Sequence, residues 1–132
     1  MHSGALGWVG MVGVGALYHM MTRTFHVELW STKLVNAHFW TATIGTVIYI
    51  VAMWVSGIMQ GLMWRAYDEY GTLAYTFAES VEAMHPYYAM RAVGGGIFLL
   101  GAVLMLINIL MTVVKANSQG ALQQARTAAA TA

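Results

Sequence analysis

The sequence predicts an all-α integral membrane protein, and three observations support this fold class. Hydrophobic residues make up 59% of the 132-residue chain and charged residues only 8%, whereas soluble domains carry roughly 25% charged residues. Glycine and tryptophan are frequent and proline occurs once, which is typical of membrane helices with interfacial aromatic residues. Three apolar stretches are also long enough to cross a bilayer, which takes ~20 helical residues. The lipid bilayer is therefore the first predicted partner.

The predicted membrane spans are residues 2–21, 34–63 and 87–114. The second is longer than a straight crossing requires, so we expect it to tilt or to project at one end. Pro86 suits the first turn of a helix, where its missing N–H costs nothing, and it predicts the start of the third span. Residues 1–115 form the predicted membrane domain. The Ala/Thr-rich residues 116–132 form a polar tail that we expect to be mobile or loosely helical.

The basic residues predict the orientation in the membrane. With three crossings, the first loop and the C-terminus share a side, which carries Arg23, Lys33, Lys115 and Arg126. Only Arg65 and Arg91 flank the other loop, which also contains acidic residues. The positive-inside rule therefore places the first loop and the C-terminus in the cytoplasm. The net charge of +1 indicates no nucleic-acid partner, and the absence of cysteine excludes thiolate metal sites and covalent c-type haem attachment.

His2 is the first candidate functional residue. A histidine at membrane depth is costly unless a partner satisfies it, so it is a functional hypothesis by default. On residue chemistry alone, a hydrogen bond to a neighbouring helix explains His2 as well as metal ligation does. Chain ends fray unless they are held. Either a partner outside this sequence holds His2, or the sequence is the back part of a longer protein, which we favour.

The other histidines are weaker candidates. His19 and His26 bracket the cytoplasmic end of the first span, where a solvated imidazole costs little. Interfacial packing or hydrogen bonding is the favoured interpretation of His38, and His85 is also interpreted as interfacial. No two histidines have the i, i+4 spacing of a helical zinc site, so the sequence does not support a self-contained metal site.

Glycines recur at every third position of the first span, as Gly4, Gly7, Gly10 and Gly13. This spacing makes a groove without side chains. Close packing of another helix is the favoured interpretation because small residues commonly mediate it in membranes, and a flat macrocycle in the groove is the alternative. On the third span, helix packing is favoured more strongly for Gly94, Gly95, Gly96 and Gly101.

Arg65 is the second candidate functional residue. It lies among the aromatic residues of the second loop, where composition favours an interfacial aromatic belt with an arginine that extends to the membrane surface. The functional alternative is an arginine that pairs with a carboxylate-bearing cofactor, because guanidinium stays charged and binds carboxylates through two hydrogen bonds. Haem propionates are such carboxylates.

Several ordered blocks carry a family resemblance: HSGALGWVG (2–10), STKLVN (31–36), HFW (38–40), AMWVSGIMQGLMWRAYD (52–68) and AMHPYY (83–88). Together with Arg91-Ala92, they resemble the catalytic subunit I of the cbb-type cytochrome c oxidases, the C-family of haem–copper oxidases. The resemblance covers residues from His2 to about Val114. It implies that these helices are numbers ten to twelve of a twelve-helix bundle in a bacterial inner membrane.

The resemblance also implies roles for two residues. Helix ten of the family carries two histidines two residues apart, which bind the high-spin haem and the low-spin haem b, and His2 matches the second. The position of the first histidine lies before Met1, and the copper ligands belong to earlier helices. Arg65 matches the stretch that faces the haem propionates. Other branches have two adjacent arginines there, whereas this chain has Trp64-Arg65, so only Arg65 is carried over.

The function implied by the resemblance is respiratory. Electrons from membrane-anchored c-type cytochrome subunits would pass through haem b to a high-spin haem and copper, where oxygen is reduced to water and protons are pumped. The partners would be the remaining helices of subunit I and those cytochromes, and this chain alone would be inactive. Three alternatives stay open: an accessory or scaffold protein of a respiratory complex, a small haem b carrier, and one piece of a split subunit I.

Overall fold

The computed structural model describes residues 2–131 and contains three helices, with no β-strand among those residues. A π-helical segment (Ser3–Gly10) continues directly into α1 (Met11–Phe25); α2 spans Thr32–Met63 and α3 spans Phe77–Thr131. The segments Ser3–Phe25, Thr32–Met63 and Phe77–Ala130 are each long and apolar enough to cross a membrane. The all-α membrane fold predicted from the sequence is therefore confirmed.

The helices α2 and α3 form the tightly packed part of the molecule. They cross where Gly45 faces Gly94: a Cβ added to Gly45 would lie 2.6 Å from the backbone N of Phe98 and 2.7 Å from the carbonyl O of Gly94. Farther along α3, a Cβ on Gly101 would lie 3.2 Å from the backbone N of Ala42. Such close approach requires residues without side chains, as in other membrane helix pairs.

A buried polar pair on α3 holds the connection between α1 and α2. His26 ends α1 in a left-handed conformation (φ 50°), and the Ser31 hydroxyl accepts a hydrogen bond from Leu34 N to cap α2. Asn108, which is fully buried, accepts from Ser31 N and donates to Ser31 O, both at 3.1 Å. Thr112 accepts a bond from Trp30 N at 3.0 Å. Because unpaired backbone groups are costly away from water, these two side chains fix the loop against α3.

The predicted start of the third helix is wrong. The helix begins at Phe77, and Pro86 lies inside it. Thr76 and Glu79 form a capping box: the Thr76 hydroxyl accepts from Glu79 N at 3.3 Å, and the Glu79 carboxylate accepts from Thr76 N at 2.7 Å. This reciprocal pair satisfies N–H groups that have no partner in the first turn. At the other end, α3 continues as a regular helix through the predicted tail to Thr131.

Candidate functional site

His2 lies at the start of the π-helical segment and faces the middle of α2. Its side chain is exposed, and its Nε2 is 3.4 Å from the Tyr49 hydroxyl oxygen, with the two ring centroids 5.0 Å apart. A cavity of about 150 Å³ opens beside the imidazole, lined by His2, Ser3, Ile50, Met53 and Trp54. The imidazole is thus placed at an open cavity with a mixed polar and apolar lining rather than buried between helices.

Arg91 of α3 approaches the same part of α2. Its guanidinium donates a hydrogen bond to the Met53 sulfur at 3.4 Å. The guanidinium carbon lies 6.0 Å from the ring centre of Tyr49 and 5.3 Å from that of Tyr88. We call these five residues the His2–Arg91 cluster: His2, Tyr49, Met53, Tyr88 and Arg91. The cluster joins all three helical segments at one level of the bundle.

Sequence reasoning missed most of this cluster. Arg91 was interpreted as a charge that flanks the second loop and as part of the family resemblance, without a functional role, although it falls within the predicted span 87–114. An arginine inside a membrane span is itself a signal of function, because it normally pairs with another group. Tyr49 and Met53 carry no comparable signal, since an aromatic or sulfur-containing residue in a membrane helix is ordinary. Only the packing of α2 against the other helices identifies them.

The glycines of the first helix fall into two groups. Gly7 packs against α2, where an added Cβ would lie 3.7 Å from Thr46 Cγ2 and 3.8 Å from Ile50 Cδ1. An added Cβ on Gly4, Gly13 or Gly15 would meet no atom within 4 Å. The packing interpretation is therefore confirmed for Gly7 and, on α3, for Gly94 and Gly101. Gly95 and Gly96 also have open space around them.

The residues around His2 fit an axially ligated macrocycle. The imidazole is exposed and has only a long contact with Tyr49. Gly4 also has open space around it, on a different face of the helix from His2. The segment is also π-helical, a conformation that is frequent at functional sites. No group of three or more His, Cys, Asp or Glu side chains among residues 2–131 is arranged to hold a metal ion.

Arg65 lies just beyond the end of α2 and does not contact His2. Its N–H donates to the carbonyl of Leu62 at 3.1 Å, and its side chain is exposed. The rise along a helix from Trp54, which lines the cavity at His2, to Arg65 is roughly 16 Å. The two predicted site residues therefore lie at different depths along α2. His2 faces its middle, whereas Arg65 lies beyond its C-terminal end.

The loop that carries Arg65 is an ordered turn built on Asp68. The Asp68 carboxylate accepts bonds from Tyr70 N (3.0 Å), Thr72 N (2.8 Å) and the Thr72 hydroxyl (2.6 Å). Gly71 takes a positive φ of 74°, which glycine adopts without strain. The hydroxyl bond from Thr72, helped by the backbone bonds from Thr72 and Tyr70, lowers the pKa of Asp68 below its ordinary value. The turn thus depends on an ionised carboxylate.

Among the remaining histidines, His85 borders the cluster, with its ring centre 6.3 Å from that of Tyr88. His38 is buried, and its Nδ1 is 3.2 Å from the Tyr18 hydroxyl, which confirms the predicted hydrogen bonding. His19, His26 and His85 are exposed. The structure therefore separates one buried, hydrogen-bonded histidine from the exposed imidazole of His2 at its cavity.

Comparison with known proteins identifies the family. Residues 1–97 match the family described as cytochrome c and quinol oxidase polypeptide I. The chain is 62% identical over 113 residues to the cytochrome c oxidase subunit 1 homolog, bacteroid, of Bradyrhizobium diazoefficiens, covering 85% of this chain and 21% of that protein. It is 55% identical over 117 residues to the cbb3-type cytochrome c oxidase subunit CcoN1 of Stutzerimonas stutzeri, covering 88% of this chain and 25% of that protein.

A third relative, cytochrome c oxidase subunit 1 of Rhodobacter capsulatus, is 52% identical over 115 residues, which cover 86% of this chain and 22% of that protein. The chain spans only a fifth to a quarter of the length of these relatives, and it matches their C-terminal part. Its three apolar helices and this kinship make it part of a multi-pass protein of the bacterial inner membrane. The chain belongs to the cytochrome c and quinol oxidase polypeptide I family, as a segment of an oxidase subunit I.

Proposed function

We propose that the chain is the C-terminal segment of subunit I of a cbb-type cytochrome c oxidase. The complete enzyme would take electrons from membrane-anchored c-type cytochrome subunits, reduce oxygen to water at a haem–copper site and translocate protons. The similarity to a cbb3-type subunit from Stutzerimonas stutzeri supports the cbb assignment. The isolated chain would be inactive, because oxygen reduction needs residues that belong to the rest of the subunit.

In this proposal His2 would hold the iron of the low-spin haem b. The observation that carries it is the exposed imidazole at a cavity of about 150 Å³. The haem would supply the one-electron redox chemistry. A ligating histidine needs a neighbour that fixes its ring orientation, and the Tyr49 ring, whose centre is 5.0 Å from that of the imidazole, would serve this purpose.

Arg65 would pair with a haem propionate. Arg65 lies two residues beyond the end of α2, and its side chain is exposed. The turn built on Asp68 fixes the backbone of the loop that carries it. A guanidinium at this position would neutralise propionate charge and so help to set the haem potential. The high-spin haem and copper would be held by the remaining helices of the subunit. The Asp68 carboxylate is held by hydrogen bonds within the loop, so the Arg65 guanidinium would be available to a propionate.

The proposed orientation places the first loop and the C-terminus in the cytoplasm. Arg23, Lys33, Lys115 and Arg126 support it as the larger set of basic residues. The Arg65 loop would then lie on the opposite, periplasmic side, where membrane-anchored c-type cytochromes would deliver electrons. Accessibility of single cysteines introduced at Lys33 and Glu69 to a membrane-impermeant thiol reagent would test this arrangement.

The ligand assignment is tested by His2→Ala in the complete oxidase, with His19→Ala as a matched control because His19 is an exposed histidine outside the cluster. We expect His2→Ala to abolish the low-spin haem b absorption bands and the control to retain them. An unchanged spectrum in His2→Ala would remove His2 from the ligand set. The intact mass of the native polypeptide, set against the 14.4 kDa of this chain, would separate a segment of a longer subunit from a split one.

A further inference from the structure

Arg91 lies at membrane depth. The Tyr49 ring that it faces belongs to a residue near the middle of α2, which spans Thr32–Met63. At 1.5 Å per residue, Tyr49 is roughly 21 Å from the nearer end of that helix, and the apolar core of a bilayer is about 30 Å thick. The Arg91 guanidinium therefore lies where the membrane provides little water to solvate a charge.

The partners of Arg91 within this chain do not compensate for its charge. A thioether is a weak hydrogen-bond acceptor, and the guanidinium has one such bond, to Met53. Two aromatic faces, those of Tyr49 and Tyr88, add cation–π attraction without neutralising the charge. No carboxylate among residues 2–131 is within ion-pair distance of Arg91. Charged groups in membrane spans almost always pair with an opposite charge or line an aqueous cavity.

The geometry also indicates where a partner would enter. Met53 receives the Arg91 hydrogen bond and at the same time lines the cavity beside His2. Arg91 therefore contacts a residue of the cavity wall without lining the cavity itself. The residue is half-buried, and of the donors in its fork Nη1 has the bond to Met53. A planar acceptor with two oxygens suits that fork best.

We propose that Arg91 binds a carboxylate supplied from outside this chain, in the space next to the His2–Arg91 cluster. Two sources share this chemistry: a propionate of the haem held by His2, and an Asp or Glu side chain of another helix of the subunit. The first source rests on the function proposed above, and the second does not. In both cases Arg91 would be a positioning residue that neutralises a buried negative charge.

The test uses the complete oxidase with three variants. Arg91→Met removes the charge and retains an unbranched apolar side chain, Arg91→Lys retains the charge, and Arg23→Met removes a charge from an exposed arginine as the matched control. The measurements are the reduction potential of the low-spin haem, the resonance Raman bands of the haem propionates, and the thermal unfolding midpoint. None of them depends on turnover.

A propionate partner predicts that Arg91→Met lowers the haem potential, because a nearby positive charge favours the reduced haem, and that it shifts the propionate bands. A side-chain partner predicts unchanged propionate bands and a fall in the unfolding midpoint, because the carboxylate is left buried without its partner. Arg91→Lys should recover most of the midpoint in both cases, whereas the Arg23→Met control should resemble the unmodified enzyme.

Two results would overturn the proposal. If Arg91→Met leaves all three measurements unchanged or raises the unfolding midpoint, Arg91 has no anionic partner, since removing an unpaired buried charge relieves a cost. If Arg91→Lys destabilises as much as Arg91→Met, or neither variant accumulates, the site requires the shape of arginine and not its charge. An unchanged haem spectrum in His2→Ala would refute only the propionate source, and the unfolding comparison would still decide the proposal.

Discussion

The α2–α3 pair and the segment that begins at His2 use the same residue, glycine, for different purposes. At the crossing of Gly45 and Gly94, backbone atoms of the two helices are so close that no Cβ fits. At Gly4, an added Cβ would meet nothing within 4 Å. Glycine spacing in a sequence therefore indicates a surface that permits close approach. The tertiary structure decides whether a helix of the same chain already occupies that surface.

The surroundings of the two regions differ in the same way. The α2–α3 pair buries Ala42, Ala52 and Met84, and Asn108 and Thr112 fix the adjoining loop through hydrogen bonds. The first helical segment buries only Tyr18, and Trp8 is 72% exposed. The α2–α3 pair is thus the stable scaffold of the chain, whereas the segment at His2 presents its surface to lipid, to other helices or to a bound group.

The largest effect is expected from Gly45→Ala, which would disrupt the close crossing of α2 and α3. The new Cβ would collide with backbone atoms of Phe98 and Gly94, which cannot move aside as a flexible side chain can. We expect a loss of about 1–3 kcal/mol or more in the free energy of unfolding, as for other overpacked sites. Thermal unfolding of the detergent-solubilised protein measures it.

The matched control for that prediction is Gly13→Ala on α1, where an added Cβ has open space. It should leave the unfolding midpoint unchanged or raise it slightly, because alanine is the better helix former. Equal losses in the two variants would contradict the assignment of Gly45 to a helix crossing.

A smaller and more specific effect is expected from Gly4→Leu, which would place a side chain in open space on the first helical segment. If the haem lies against that surface, we expect reduced low-spin haem content in the complete oxidase without a lower unfolding midpoint of the α2–α3 scaffold. Haem extraction and the optical spectrum measure the content. Gly120→Leu, at another glycine with open space, serves as the control, and equal haem content in the two variants would argue against a group beside Gly4.

The smallest effect is expected in the Arg65 loop. Because the pKa of Asp68 is lowered in the folded loop, ionisation stabilises the turn above the unfolded-state pKa of about 3.9. That contribution is lost as the pH falls through the lower folded value. Amide exchange of Tyr70 and Thr72, corrected for its intrinsic pH dependence, should rise over this acidic range. Asp68→Asn should show no such pH dependence, and a persistent dependence would mean that another group titrates.

The helix boundaries show how far local patterns can be trusted. The end of the second span at Met63 agrees with the structure, because polar and turn-forming residues follow it. The start of the third helix was misjudged at Pro86, although Thr76 and Glu79 have the S/T-x-x-E spacing of a capping box. Proline is tolerated inside this helix because packing and the capped first turn hold the helix around it, a contribution that does not follow from local propensity.

The candidate site also contains residues that the sequence predicts and contacts that it does not. His2 and Arg65 could be predicted as site residues from the sequence, because each matches a family pattern. The contacts of Arg91 with Tyr49 and Met53 could not, since they join residues far apart in the chain whose types are common in membrane helices.

Composition and apolar run length alone were enough to establish the membrane class and the number of helices, because the free energy of transfer to lipid is a sum over residues and does not require a contact map. The side of each helix that is packed, and the side that is open, depended on the tertiary structure. Close approach at Gly45, the free space at Gly4 and the position of Arg91 beside the His2 cavity all arise from the register of one helix against another. That register is a property of the three-dimensional packing and not of any single segment.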